Sequence, residues 1–386
     1  MKENLGRMPV LPVEAYTSQA WFDKEQETIF SNSWQFAGLV EDIADPGDYI
    51  TVQCGHQNMV IVKGRDQRLR AFHNLCRHRG TQLLRAVGKK QKALTCPYHD
   101  WTYSLNGELI SVPEKDKEFP DLELDKICLH KGSVDVWRGM LWVHPKPNAT
   151  PINKWFDGVI PNLGPHKPER LIEYPDSTYE KVINANWKIV AENYIDVYHL
   201  AHLHSNTLQM YDHANAQYGF VGDHYTFWEP LAKNYLDNLD SLIPFKRIAE
   251  MTDEYIGAYV PWLFPNTGLS ETESSWSVFH AEPLAPDKTK VIVRSKLEPM
   301  TDWEYTKQST KSMASWHGVM GSDTKYGNYD EDDPMATGDF MAEDVYACEQ
   351  QQKSLKNPLF GVSATAKHGE STVRQFQTII ANWMGE

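Results

Sequence analysis

The 386-residue chain has no uninterrupted apolar run of about eighteen residues, so its sequence predicts no helix that crosses a membrane. Positive charge is in short supply: 38 Lys and Arg stand against 52 Asp and Glu, a formal net charge of −14 at pH 7. That balance excludes a surface built to neutralise nucleic-acid phosphates. No G-x-G-x-x-G follows a strand-like run, so a bound dinucleotide is not expected. The N-terminus, MKENLGRMPVLPVEAY, lacks a basic end followed by an apolar core, and no secretory signal is read there. Cysteines are few and odd in number, five. Two of them stand in metal-type spacing with histidine, which suits a reducing, cytoplasmic setting rather than a disulfide scaffold.

What is present is enough for one large domain or two modest ones, with 41% hydrophobic and 12% aromatic residues. The chain is organised around Asn186–His204, NWKIVAENYIDVYHLAHLH. Trp187, Val190, Ala191, Tyr194, Ile195 and Tyr198 form an apolar stripe with helical spacing. Asp196 and His199 share a face of that helix, whereas His199 and His204 do not. The helix is therefore expected to end or widen near His202–His204 so that both imidazoles meet one metal. Two imidazoles and a carboxylate are what a non-haem Fe(II) site with open positions uses, so a third ligand must come from elsewhere.

A second constellation lies upstream: Cys76-Arg77-His78, then Cys96-Pro97-Tyr98-His99, or C-x-H-x17-C-x2-H. Such a set holds either a tetrahedral zinc or a [2Fe–2S] cluster with both cysteines on one iron and both histidines on the other. Around it, Asp48–Val52, Met59–Lys63 and Leu69–His73 read as short strands, and Ser104-Leu105-Asn106-Gly107 as a hairpin turn. Residues 17–34 read as an amphipathic helix and 145–180, rich in proline, as a connection. Beyond the metal motif, Leu208–Phe264 is crowded with aromatics, among them Tyr211, Tyr218, Tyr225, Tyr255 and Trp262, some of which should line a pocket. WSVFH (276–280) and KVIVRSKL (290–297) read as antiparallel strands around a PLAPDKT turn, and Asp339–Leu355 as a helix.

C-R-H-R-G followed by C-P-Y-H-D-W resembles the cluster-binding loops of Rieske proteins. N-W-K…E-N-Y-x-D-x-Y-H-x4-H resembles the catalytic-domain motif of the large (α) subunits of Rieske non-haem iron oxygenases. The resemblance covers nearly the whole chain, in that family's order. One departure is Asp100, where many members have glycine; it could add charge beside a cluster histidine or simply lie at the surface. The fold this implies is α+β, an all-β Rieske [2Fe–2S] domain before a catalytic domain whose antiparallel sheet is flanked by helices. The domains would be an N-terminal helix (1–35) packing on the catalytic domain, a Rieske domain (36–145) and a catalytic domain (146–386).

The resemblance implies that Cys76, His78, Cys96 and His99 hold the cluster and that His199 and His204 hold Fe(II). Asp344 is the chosen third ligand, with Glu343 and Glu349 as alternatives one alignment slip away. His202 is expected in the core or behind a ligand, and Asn193 and Tyr194 in support of the site. Asp196 would link His199 to a cluster histidine of a neighbouring subunit, implying a homotrimer; a β subunit is not favoured. Electrons would come from a separate reductase or ferredoxin. Ten basic residues and one acid, Asp66, between Lys63 and Lys92 would dock an acidic donor or pair with a neighbouring subunit. The expected reaction is O2-dependent hydroxylation or demethylation of an aromatic compound. The alternatives are a monooxygenase of a quaternary ammonium compound, its trimethylammonium group caged by aromatic rings, and, remotely, a non-catalytic Rieske electron carrier.

Overall fold

The computed structural model describes residues 9–175, 177–319, 333–335, 339–362 and 364–385. It divides into two compact units, one spanning Asp23–Asp157 and the other holding the chain up to Phe22 and from Gly158 onward. These limits differ from the expected boundaries at 35 and 145. The segment read as one N-terminal helix is broken, with helices at Glu14–Thr17 and Gln19–Glu25 and a π-helical turn at Gln26–Phe30. Ser31 Oγ donates to the Gln26 carbonyl, and Asn32 Nδ2 donates to those of Glu27 and Thr28. Side chains thus take carbonyls that a continuing helix would have used.

The first unit is built of three antiparallel sheets. One orders its strands Leu69–His73, Gln57–Lys63, Tyr49–Cys54, Val87–Gly88. Another orders Gln35–Leu39, Met140–His144, Ser133–Trp137, and a small meander joins Leu94–Thr95, Thr102–Tyr103 and Leu109–Ser111. The Asn-Gly turn lies inside that meander. The Gly107 amide donates to Ser104 O at 2.9 Å, and Gly107 sits at φ +89°, which its missing Cβ permits. Phe72, Leu94, Trp101 and Tyr103 share one core with Cys76 and Cys96, so both cysteine loops are anchored from beneath.

In the second unit an eight-stranded antiparallel sheet runs Thr178–Ile183, Lys288–Lys296, Trp276–Ala285, Thr267–Glu271, Ala258–Tyr259, His224–Glu229, Gln217–Val221, with Trp262–Leu263 bridging two of these. The hairpin strands Trp276–Ala285 and Lys288–Lys296 run further than the sequence suggested. A register shift between Pro283 and Ala285 absorbs the proline, which has no amide to pair. Among the described residues no helix is long and apolar enough to cross a membrane.

The helix Trp187–Ile195 is buried along almost its whole length. Asn186 caps it by accepting the Lys188 amide at 3.0 Å. Tyr16 Oη and Gln377 Nε2 both donate to Glu192, at 2.5 and 3.1 Å, tying the N-terminal segment and the helix Ser371–Met384 to it. Burial pushes the Glu192 carboxyl up to about 7 despite these donors.

Replacing Gly107 by Ala would place a Cβ 2.5 Å from Phe72 Cε1 in a left-handed backbone. The combined overlap and strain should cost about 2 kcal/mol or more. Thermal unfolding followed through the cluster-loop unit should show a midpoint several degrees lower; an unchanged midpoint would mean that Phe72 moves aside freely.

Candidate metal centres

The helix expected to reach His202 stops at Ile195. Asp196 is extended (φ −75°, ψ 114°) and its Oδ1 accepts the Tyr198 amide at 2.7 Å, a local bond that competes with the helix. A short helical turn, Leu200–Leu203, follows, flanked by His199 and His204. The redirected chain brings the two imidazoles to a centroid separation of 5.0 Å. From the helix Phe340–Ser354, capped by Asp339 at the Met341 amide, Asp344 meets them. Its Oδ1 lies 3.0 Å from His204 Nε2 and 3.7 Å from His199 Nε2. One ligand atom from each of His199, His204 and Asp344 lies within 4.8 Å of the others, and among the described residues these form the one set compact enough for a single ion.

Glu343 and Glu349 occupy other places. Glu343 Oε2 lies 2.7 Å from His204 Nδ1 and accepts Thr207 Oγ1 at 2.9 Å, on the far side of the imidazole from Asp344. A carboxylate there holds the proton on Nδ1 and leaves the Nε2 lone pair for a metal. Glu349 instead accepts the backbone and side-chain amides of Asn184. Burial alone would lower the His204 pKa; hydrogen bonds to Asp344 and Glu343 outweigh it and raise it to about 9. The pocket is therefore charged to favour a cation at Nε2, whether a proton or a metal. His199 Nδ1 is buried without a hydrogen bond, with Asp196 Oδ2 3.6 Å away. Two imidazoles, one carboxylate and this negative surround fit a mononuclear iron.

Asn193 Nδ2 donates to Asp344 Oδ1 at 3.1 Å and so orients the carboxylate. Tyr194 points elsewhere: its hydroxyl donates to Leu269 O at 2.6 Å and its ring packs on Trp262 and Phe279. His202 is exposed rather than in the core, with Tyr198 edge-on at 5.0 Å.

The cluster loops are two copies of one turn. Gly80 N donates to Cys76 O and Asp100 N to Cys96 O; Cys76 N then reaches Thr81 O and Cys96 N reaches Trp101 O. Each turn needs a left-handed residue at the same point, Gly80 at φ +77° and Asp100 at +55°. The departure at Asp100 is thus first a matter of backbone, since aspartate is among the few residues that tolerate this region. Both cysteines are buried, while His78 and His99 are half-exposed with centroids 4.7 Å apart.

Two neighbours went unnoticed in the sequence. Trp101 stacks on His78 at 4.8 Å, and Tyr103 Oη accepts the Arg77 amide at 2.9 Å while lying 3.4 Å from Cys76 Sγ. The aromatic spacing W-x-Y just after the second loop was the available signal. In the basic stretch, Arg70 pairs with Asp66, Lys89 with Asp48 and Lys90 with Asp45. Part of its charge is therefore neutralised within its own unit.

Two donor sets, a Cys2His2 pair of loops on a β unit and a His2Asp site between helical segments, define a metalloenzyme with two centres. Residues 33–130 match the Rieske [2Fe–2S] domain, and residues 168–386, more than half of the chain, match the ring hydroxylating alpha subunit (catalytic domain). The chain belongs to the Rieske non-haem iron oxygenases, with a [2Fe–2S] cluster and a mononuclear iron as its cofactors.

It is 27% identical over 358 residues to the carnitine monooxygenase oxygenase subunit of Escherichia coli (strain K12), covering 90% of this chain and 84% of that protein. Its fold matches the crystal structure of a quaternary ammonium Rieske monooxygenase with a TM-score of 0.75 at 22% identity, covering 98% and 96% of the two chains. It also matches naphthalene 1,2-dioxygenase from Rhodococcus sp. with a TM-score of 0.72 at 18% identity, covering 97% and 94%. At such identities both structures speak for the fold.

Two substitutions separate the roles of the adjacent acids. Asp344→Ala should abolish mononuclear iron retention, whereas Glu343→Gln should weaken it by about 10–100-fold; iron content at graded chelator concentrations reads the difference. At the cluster loop, Asp100→Gly should preserve the visible spectrum of the cluster and Asp100→Val should reduce cluster incorporation. Equal spectra for both would contradict the backbone explanation.

Proposed function

We propose that the protein is the oxygenase component of a multicomponent system that oxidises a quaternary ammonium compound of the carnitine, choline or betaine kind. The observation that carries this reading is the likeness to a carnitine monooxygenase oxygenase subunit over 90% of the chain. The aromatic substrate preferred from sequence gives way to it, since the aromatic stretch 208–264 does not select a flat ring. Tyr225, Phe227, Trp262 and Phe264 are plain core, each under a tenth exposed. A likeness to the benzene 1,2-dioxygenase subunit alpha of Pseudomonas putida, 32% identical over 201 residues, keeps ring oxidation as the second reading. A bare electron carrier would have no use for the second donor set.

In this reading Cys76, Cys96, His78 and His99 hold the cluster, and His199, His204 and Asp344 hold the iron. When bound, the cluster supplies single electrons and the iron activates O2 beside the substrate. Glu343 fixes the tautomer and orientation of His204, and Asn193 orients Asp344. Asp196 does two things: its Oδ1 holds the chain turn at Tyr198, and its Oδ2 faces His199 Nδ1. We assign it as the link from His199 to a cluster histidine of a neighbouring subunit in a head-to-tail trimer. The unpartnered Nδ1 of His199 is the group such a link would serve. Electrons come from a separate reductase or ferredoxin, because the chain has no dinucleotide fingerprint.

With a surrogate reductase, carnitine, choline or glycine betaine should yield an oxidised product, and aromatic acids or methoxylated aromatics should not. Oxygen appearing on a ring, with no amine product, would transfer the protein to the second reading. Asp196→Asn should keep both centres and a reducible cluster but lose about 10–100-fold or more in turnover. A wild-type rate would remove Asp196 from electron delivery.

A further inference from the structure

In the first unit the cluster histidines, His78 and His99, line a groove of about 460 Å3. Its walls are apolar where Trp101 and Phe119 hold His78, the one stacked on it at 4.8 Å and the other edge-on at 5.8 Å. Its rim is acidic, with Asp100, Glu114 and Glu118 exposed and no Lys or Arg among the lining residues. Lys117 bridges Glu114 and Glu118 from outside, at 2.9 and 2.8 Å. The rim stays negative, three carboxylates against one ammonium. Cavities of roughly this volume admit a drug-sized molecule, and so an aromatic side chain together with the backbone that carries it.

The second unit carries a surface of the opposite kind. Tyr198, two residues after Asp196, is 55% exposed. Beside it, Val197 N donates to Gly369 O at 3.2 Å. A Cβ on Gly369 would stand 2.8 Å from that of Tyr198, so only glycine lets the strap 366–369 lie this close. The strap is fastened from behind. Arg374 donates to Thr365 Oγ1, Ala366 O and Lys367 O at 2.6, 2.7 and 2.9 Å. Glu370 turns back to accept the Ala366 amide, which keeps that acid off the outer side. Lys367 and His368 are exposed, and among the described residues no carboxylate pairs with Lys367. An exposed tyrosine beside an unpaired ammonium, both on a fixed backbone, has the make-up of an interface anchor.

We infer that Tyr198, with Lys367 and His368 beside it, docks into the acidic groove of a second copy of this chain. The inference rests on the head-to-tail link assigned to Asp196 above and deepens it by naming the two surfaces that make the link. Asp196 must meet a cluster histidine, and both histidines line the groove. Two residues of chain span at most about 7 Å, so Tyr198 reaches the groove whenever Asp196 reaches the histidine. The tyrosine ring then covers Trp101 and Phe119, and Lys367 meets the carboxylates of the rim. Charge selects the occupant: the rim repels an acidic electron donor and attracts the basic strap.

Two measurements on the cluster- and iron-loaded enzyme test this. Sedimentation reads assembly, and a carbodiimide, which joins a lysine amine to a carboxylate in contact with it, reads the pairing. The wild type should sediment as a trimer. It should give a covalent dimer in which Lys367 is linked to Asp100, Glu114 or Glu118, and Lys367→Gln should abolish that product. Tyr198→Ala should raise the dissociation constant of the trimer about tenfold or more, with the cluster spectrum and iron content unchanged. Lys367→Glu should weaken assembly, and adding Glu114→Lys and Glu118→Lys to the same chain should restore it. A trimer indifferent to Tyr198→Ala, with Lys367 linked elsewhere, overturns the docking surfaces; if its turnover still depends on Asp196, the link itself stands. A groove that cross-links to the electron donor rather than to a second copy overturns the choice of occupant. A wild type that sediments as a monomer overturns both the surfaces and the link.

Discussion

The bond from the Tyr198 amide to Asp196 Oδ1 is the interaction on which the catalytic unit depends. In a continuous helix His199 and His204 would point about 140° apart and could not share an ion. Aspartate offers the backbone an acceptor outside the helix, and at Asp196 the chain takes it. The helix ends, a short turn intervenes, and both imidazoles face Asp344. The same residue lies beside His199 Nδ1, so the local bond that shapes the site also sets a carboxylate at its edge.

A rigid support makes such a break tolerable. The helix before it is buried among apolar side chains, and its charged members are contained. Glu192 accepts from Tyr16 and Gln377, while Lys188 lies over the rings of Tyr16 and Trp187 at 5.2 and 5.3 Å. Buried charges without such partners would be strongly destabilising. The N-terminal segment and the C-terminal helix therefore act together on one element, which explains why residues so distant in sequence bear on the ligand-bearing turn.

The two centres are built on contrasting principles. At the cluster loops, backbone geometry dominates: paired turns, each with a left-handed residue, present a buried cysteine and a half-exposed histidine. At the mononuclear site, electrostatics dominate. Asp344 and Glu343 grip opposite nitrogens of His204, and their charge overcomes the cost of burying a cation there.

Much of this was legible in the chain itself. Histidine and cysteine at fixed short spacing imply ligands because the backbone of a short loop admits few arrangements. Strand and turn signals at Leu69–His73 and Asn106-Gly107 held for the same local reason. The sequence alone put the end of the metal-site helix too far along, because whether Asp196 prefers a helix or a side-chain bond depends on what surrounds it. Nor could it divide Glu343 from Asp344. Neighbours on a helix differ by about 100° in direction, and only the packing of Phe340–Ser354 against His204 decides which acid faces which nitrogen. The pairing of Tyr235 with Glu273 likewise joins the short helix Lys233–Leu236 to a distant turn, a contact that no local pattern encodes. Local chemistry determined the kinds of site; the tertiary structure decided which atoms meet in them.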